Sequence, residues 1–97
     1  MTTLHIQHQV RDFASWKIAF DQAAPMRARG NVRRYVISRP VDQPLNVLID
    51  LEFDDRTSAE SYLGLLKANV WQTPQALAAV DGGIQTSILE RVEATNL

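Results

Sequence analysis

The stretch Leu4–Asp21, LHIQHQVRDFASWKIAFD, runs a strand pattern almost directly into a helix pattern, and that abrupt change of period constrains the fold most. Leu4, Ile6, His8 and Val10 alternate with Thr3, His5, Gln7 and Gln9, the period of two expected of a half-buried strand. Asp12 stands where a helix N-cap belongs, its carboxylate placed to accept amide hydrogens of the first turn. Phe13, Trp16, Phe20, Ala23 and Ala24 then form one apolar stripe at helical spacing, with Ile18 opposite. His8 occupies a place in the strand's apolar row where another aliphatic residue would be ordinary. Trp16 and Phe20 are expected to pack over that row.

Pro25 cannot donate a backbone hydrogen bond and should kink the helix or end its first segment. The next turn, Met26–Arg29, runs to Gly30, which suits a left-handed C-terminal cap. Arg27 falls on the inward stripe, so it snorkels at the rim, reaches into a cavity or caps carbonyls near Gly30. Asn31–Arg39 reads as a second strand and Asn46–Phe53 as a third, the latter with Val47, Ile49, Leu51 and Phe53 on one face. The link between them, Pro40 to Pro44, is too short for a crossover and implies an antiparallel hairpin.

Asp54, Asp55 and Thr57 compete to open the next helix, and the capping-box spacing of Thr57 and Glu60 favours Thr57. Ala59, Tyr62, Leu63, Leu66 and Val70 form its apolar stripe, and Trp71 falls at its end. Thr73-Pro74 predicts a short extra helix over Pro74–Val80. Asp81-Gly82-Gly83 reads as a turn and Ile84–Glu93 as the last strand, with Ile84, Thr86, Ile88 and Val92 on its apolar face.

The order β-α-β-β-α-β, with right-handed crossovers, predicts an α+β ferredoxin-like domain spanning residues 1–97. It has a four-stranded antiparallel sheet and both helices on one face. A chain of 97 residues buries roughly two-thirds of the surface its unfolded form exposes, enough for one core. Ten basic and eleven acidic residues give a formal charge of −1, which offers no field for nucleic acid or an acidic membrane surface. The absence of cysteine removes disulfides, thiolate chemistry and cysteine-ligated metals. The start lacks a signal-peptide pattern and no apolar run approaches the ~20 residues of a membrane helix. The expectation is a cytoplasmic protein.

The sheet face away from the helices should carry Thr3, His5, Gln7, Gln9, Leu48, Asp50, Glu52, Gln85, Ser87, Leu89 and Arg91. It is mostly polar. Either it is simply wet, or a second subunit packs on it sheet to sheet with acids and arginines paired across the seam.

The run Gln7-His8-Gln9-Val10, Asp12-Phe13, Trp16-Lys17 and Phe20-Asp21, followed by Arg27 and Gly30, resembles the dimeric α+β barrel superfamily. More closely, it is similar to the small antibiotic biosynthesis monooxygenase-like proteins. Val47–Phe53, Asp54-Asp55 and Ala59 extend the likeness over nearly the whole chain. It implies a homodimer in which the polar sheet faces close a barrel, with a small cavity between helices and sheet in each subunit. That group includes cofactor-independent oxygenases of phenolic polyketides, haem-degrading enzymes, polyketide cyclases and members without a known role. Its haem degraders pair a strand asparagine with a tryptophan and a later helical histidine. Here Trp71 matches the tryptophan, but no histidine follows it, and the strand offers Gln7 and His8 instead of the asparagine.

His8 is the candidate catalytic residue. An imidazole among apolar neighbours is kept neutral by desolvation and can accept a proton from a phenol or an acidic C–H. The alternative is a buried histidine satisfied by Tyr62 or a backbone carbonyl. Trp16, Phe20, Arg27, Tyr62 and Trp71 are the candidate ligand-binding residues. Each also has a plain structural role, the aromatic residues as core and Arg27 as a cap. His5 points to the polar face. Two histidines three apart on a strand point to opposite faces and cannot chelate one metal, and Gly82-Gly83 precedes a strand, so no phosphate loop forms. No metal or cofactor is expected. The function expected is a homodimeric protein binding a small apolar or aromatic molecule, as a cofactor-independent oxygenase or cyclase. The alternative is a non-catalytic dimer, either filled by its own side chains or serving as a ligand sensor or carrier.

Overall fold

The computed structural model describes all residues from Met1 to Leu97. β1 (Thr2–Val10) is followed by α1 (Phe13–Gln22), α2 (Ala24–Arg29), β2 (Arg34–Ser38) and β3 (Asn46–Phe53). Then come α3 (Arg56–Leu65), a π turn (Leu66–Val70), α4 (Pro74–Ala79) and β4 (Val80–Glu90). The strands order as β2-β3-β1-β4, all neighbours antiparallel. This is the ferredoxin-like arrangement expected from the element order. β1, the first strand made, lies between β3 and β4, so its inward row becomes the middle of the core.

That row is Leu4, Ile6, His8 and Val10, and all four are buried together with Val47, Ile49, Leu51 and Phe53 of β3. The register places Leu4 beside Leu51, Ile6 beside Ile49 and His8 beside Val47. Trp16, Ala59, Tyr62 and Leu66 close the core from the helix side. Ile18 is exposed, as its place opposite the stripe predicts. No helix is long and apolar enough to cross a membrane.

The helix starts follow local chemistry. Asp12 caps α1, its carboxylate accepting the Ser15 amide hydrogen at 3.0 Å. Thr73 caps α4 through the Ala76 amide, with Pro74 in the first turn. Asp55, not Thr57, caps α3 by accepting the Ser58 amide hydrogen at 2.7 Å. A carboxylate at that end also meets the positive pole of the helix, which a hydroxyl does not, so Thr57 falls inside the first turn.

Four further expectations are corrected. Pro25 ends the first helical segment, one of the two outcomes expected of it, but Ala24, expected on the inward stripe, is turned out to solvent as a separate short helix begins. The left-handed residue after α2 is Asn31 (φ 65°), while Gly30 has φ −83°. Asparagine tolerates that region, and what requires glycine at position 30 is Tyr62: a Cβ there would lie only 2.7 Å from Cε1 of its ring. β2 is shorter than Asn31–Arg39, because residues 31–33 make the turn out of α2.

The fourth concerns Asp81-Gly82-Gly83, which does not turn the chain but lies within β4. Gln7 pairs with Gln85 and Gln9 with Asp81, so two residues of β1 span four of β4. The surplus forms a bulge, with Gly82 at φ 92°, beside His8. β4 ends at Glu90, leaving Val92 outside it and exposed.

The uncovered sheet face carries the predicted residues, but its acids find partners within the chain. His5 meets Asp50 at 2.6 Å, its register partner in β3. Glu52 lies between Arg34 (3.1 Å) and Arg91 (3.7 Å) and is buried by them.

Candidate functional site

Between the sheet and the helices lies a cavity of about 330 Å³ lined by 21 residues, of which 15 are hydrophobic. His8, Trp16, Phe20, Arg27, Tyr62 and Trp71, all six candidate residues, line it. His5 does not.

His8 is buried because β1 runs through the middle of the sheet and α1 crosses over it. Its Nδ1 lies 3.2 Å from the Gln9 carbonyl oxygen and donates to it. That fixes the tautomer and leaves the Nε2 lone pair as the basic site. No fully buried side-chain nitrogen or oxygen in the protein lacks a hydrogen bond. Nε2 has no protein partner, so the surface it retains opens on the cavity. Trp16 meets the imidazole edge-on, with ring centroids 5.8 Å apart. Burial lowers the His8 pKa from its ordinary 6.5, the Gln9 contact opposing this less strongly. His8 is therefore a neutral base at physiological pH.

Of the two partners the sequence offers His8, the backbone carbonyl is the one observed, and Tyr62 does not hydrogen-bond it. Its ring packs against Phe53, centroids 5.7 Å apart, and over Gly30. Burial raises its pKa, with the positive charge of Arg27 acting the other way.

Arg27 is 7% exposed. Its Nη1 donates to the Phe20 carbonyl oxygen at 2.7 Å, capping the end of α1 rather than carbonyls near Gly30. The guanidinium lies 3.9 Å from the centre of the Phe20 ring and 5.2 Å from that of Tyr35. Such cation–π contacts contribute about 0.5–2 kcal/mol each. No carboxylate comes within 4 Å of it, although the other arginines near by, Arg33 and Arg34, both have one.

Trp71 reaches the cavity through the π turn. In an α-helix, Val70 would follow Tyr62 and Leu66 on the inward stripe and Trp71 would lie about 100° away. Here the Trp71 amide donates to the Leu66 carbonyl five residues back, at 2.9 Å. The extra residue in that turn brings both Val70 and Trp71 to the wall. Exposed lining residues mark the mouth: Gln22 of α1, Asn69 of the π turn and Gln75 of α4. These three amides are missed by sequence reasoning. Nothing in their spacing distinguishes them from ordinary surface residues, and only the Thr73-Pro74 helix start hints at a rim there.

No protein-family model matches the chain, and no curated protein matches it. Solved structures do. SnoaB, a cofactor-independent oxygenase from Streptomyces nogalater, superimposes with a TM-score of 0.71 over 96% of this chain and 94% of its own, at 16% identity. A putative antibiotic biosynthesis monooxygenase from Deinococcus radiodurans gives 0.62 over 100% and 98%, at 17% identity. A dimeric ferredoxin-like protein from an uncultured marine organism gives 0.64 over 97% of each chain, at 14% identity. The chain shares the ferredoxin-like fold of these three structures. At such identities the likeness is one of architecture.

Proposed function

We propose that the protein binds a small aromatic molecule in the cavity and uses His8 as the base of a cofactor-independent oxygenation. The observation that carries this reading is an apolar cavity of about 330 Å³ with the free His8 Nε2 in its wall. A cavity blocked by Trp16, Phe20 and Tyr62 would favour a side-chain-filled module; instead these rings stand around open space. The likeness to SnoaB supports the same class of reaction.

In an anthrone, Nε2 would take a proton from the acidic ring carbon or its phenol tautomer. The resulting anion is oxidised by dioxygen, a carbon–oxygen bond forming at that carbon, and the peroxide anion takes the proton back from the His8 imidazolium to give the hydroperoxide. Loss of water from the hydroperoxide breaks the O–O bond and leaves the quinone. The apolar walls exclude bulk water from the anion. The test is oxygen uptake and quinone formation from 1,8-dihydroxyanthrone in air, with neither metal nor flavin added. Acceleration over buffer is expected. Saturable binding without turnover would place the chain among carriers or sensors, and no binding would defeat the reading.

We also propose that the uncovered sheet face joins two copies. The likeness to a dimeric ferredoxin-like protein supports this, as do Leu48 and Leu89, apolar residues left on that face. Sedimentation at micromolar concentration should give twice the chain mass of 10.9 kDa; a 10.9 kDa species would refute it.

A further inference from the structure

Arg27 is a buried cation whose counter-ion the chain does not supply. Of the donors on its guanidinium, the Nη1 group reaches the Phe20 carbonyl, and no other hydrogen bond or ion pair is formed. Its planar face is taken by the Phe20 ring, which leaves the edge of the fork as the part free to bind. A cation held nine-tenths out of water without a carboxylate is costly, and side chains seldom stay so unless something else completes them.

The surroundings narrow what that is. Arg27 is the one lysine or arginine in the cavity wall, and no aspartate or glutamate lines it. With His8 neutral, the cavity carries a single positive charge at the Phe20 end. Arg27 also borders a shallow cleft outside, shared with Asp21, Arg33 and Arg34. All three are already paired, Asp21 to Lys17 at 2.6 Å, Arg33 to Asp54 at 2.8 Å and Arg34 to Glu52 at 3.1 Å, so the unmet charge is that of Arg27 alone. A phosphate would call for several donors or cations, which this apolar wall does not hold. A carboxylate matches one guanidinium edge in a two-pronged contact.

We infer that the ligand is an aromatic monoanion whose carboxylate docks on Arg27 while its ring lies against Trp16 and Tyr62, within reach of His8. The inference rests on the reading of the cavity as a ligand site and adds the ligand's charge and orientation to it.

Calorimetric titration of the intact protein with 2-naphthoate and with its uncharged analogue 2-naphthamide tests it. A charge-assisted contact of this kind corresponds to about a 10- to 100-fold preference for the acid. Arg27→Met should lose that preference while still binding the amide, and Arg27→Lys should keep part of it. Because the comparison of the two ligands needs no variant, a poorly folded Arg27→Met would not obscure it. Equal affinity for acid and amide would overturn the anion site and leave the cavity reading standing. Naphthoate that perturbs the amide resonances of Arg33 and Arg34 but not those of His8 and Trp16 would move the anion to the outer cleft and overturn the inference. Failure of both ligands to bind would defeat the cavity reading and this inference together.

Discussion

His8→Leu is expected to slow turnover of an anthrone by about 10²- to 10⁴-fold while leaving the fold and aromatic binding intact, the range for removal of a positioned general base. Leucine occupies much the same space and is content in that apolar row, so the loss would report chemistry rather than packing. The pH profile adds a second readout. Burial holds the His8 pKa below its ordinary 6.5, so the base stays free and activity persists as pH falls to 6.5 and somewhat under it, the acid limb lying lower. Stability moves with the same sign. The unfolded chain takes up the His8 proton as pH drops through 6.5, while the native chain does not until its lower pKa is reached. The native state therefore keeps its full margin above 6.5 and loses part of it in that window. Chemical denaturation at about pH 7.5 and pH 5.5 should show the loss in the native sequence, and a smaller one in His8→Leu. A leucine variant with unchanged turnover would remove His8 from the mechanism.

Phe53→Ala should be the most damaging single truncation in the core, destabilising the protein by about 3–5 kcal/mol. The side chain is wholly buried at the end of β3. It also supports the Tyr62 ring, which in turn covers Gly30. Removing it leaves a void that the paired strands β1 and β3 cannot close, because Thr2 holds Phe53 in register at the ladder's end. Domains of this size have about 5–15 kcal/mol of stability in total, so roughly a fifth or more would go. Urea denaturation would measure it. A loss under about 1 kcal/mol would mean that the helix layer slides in to fill the hole.

How much of this was legible beforehand depends on the range over which each cause acts. The His8 row and the β3 pattern show themselves because alternation is a local consequence of a half-buried sheet. Asp12 and Thr73 show themselves because a cap is read three residues away. Asp55 was harder, since Thr57 offered the same local bond and only the pole of the helix separated them. Gly30 looked like a left-handed cap, yet its constraint comes from Tyr62, thirty-two residues on, and no local pattern carries that. Trp71 was singled out as a residue at the helix end, but the π turn that brings it to the wall was not legible; one surplus residue in a helical turn changes phase without changing composition. Arg27 was expected either at the rim or in a cavity, and the structure has it in the wall. That it lacks a carboxylate is a property of the whole surrounding shell, so it becomes visible only when the shell is assembled.

The bulge in β4 has a consequence for what the protein avoids. β4 is an outermost strand, and an outermost strand ordinarily offers a row of free amides and carbonyls to any other extended chain. Two surplus residues, one of them a glycine at positive φ, break the regular spacing of that row partway along. A foreign strand could not stay in step across the break. Uncontrolled growth of sheets from this margin is thereby discouraged.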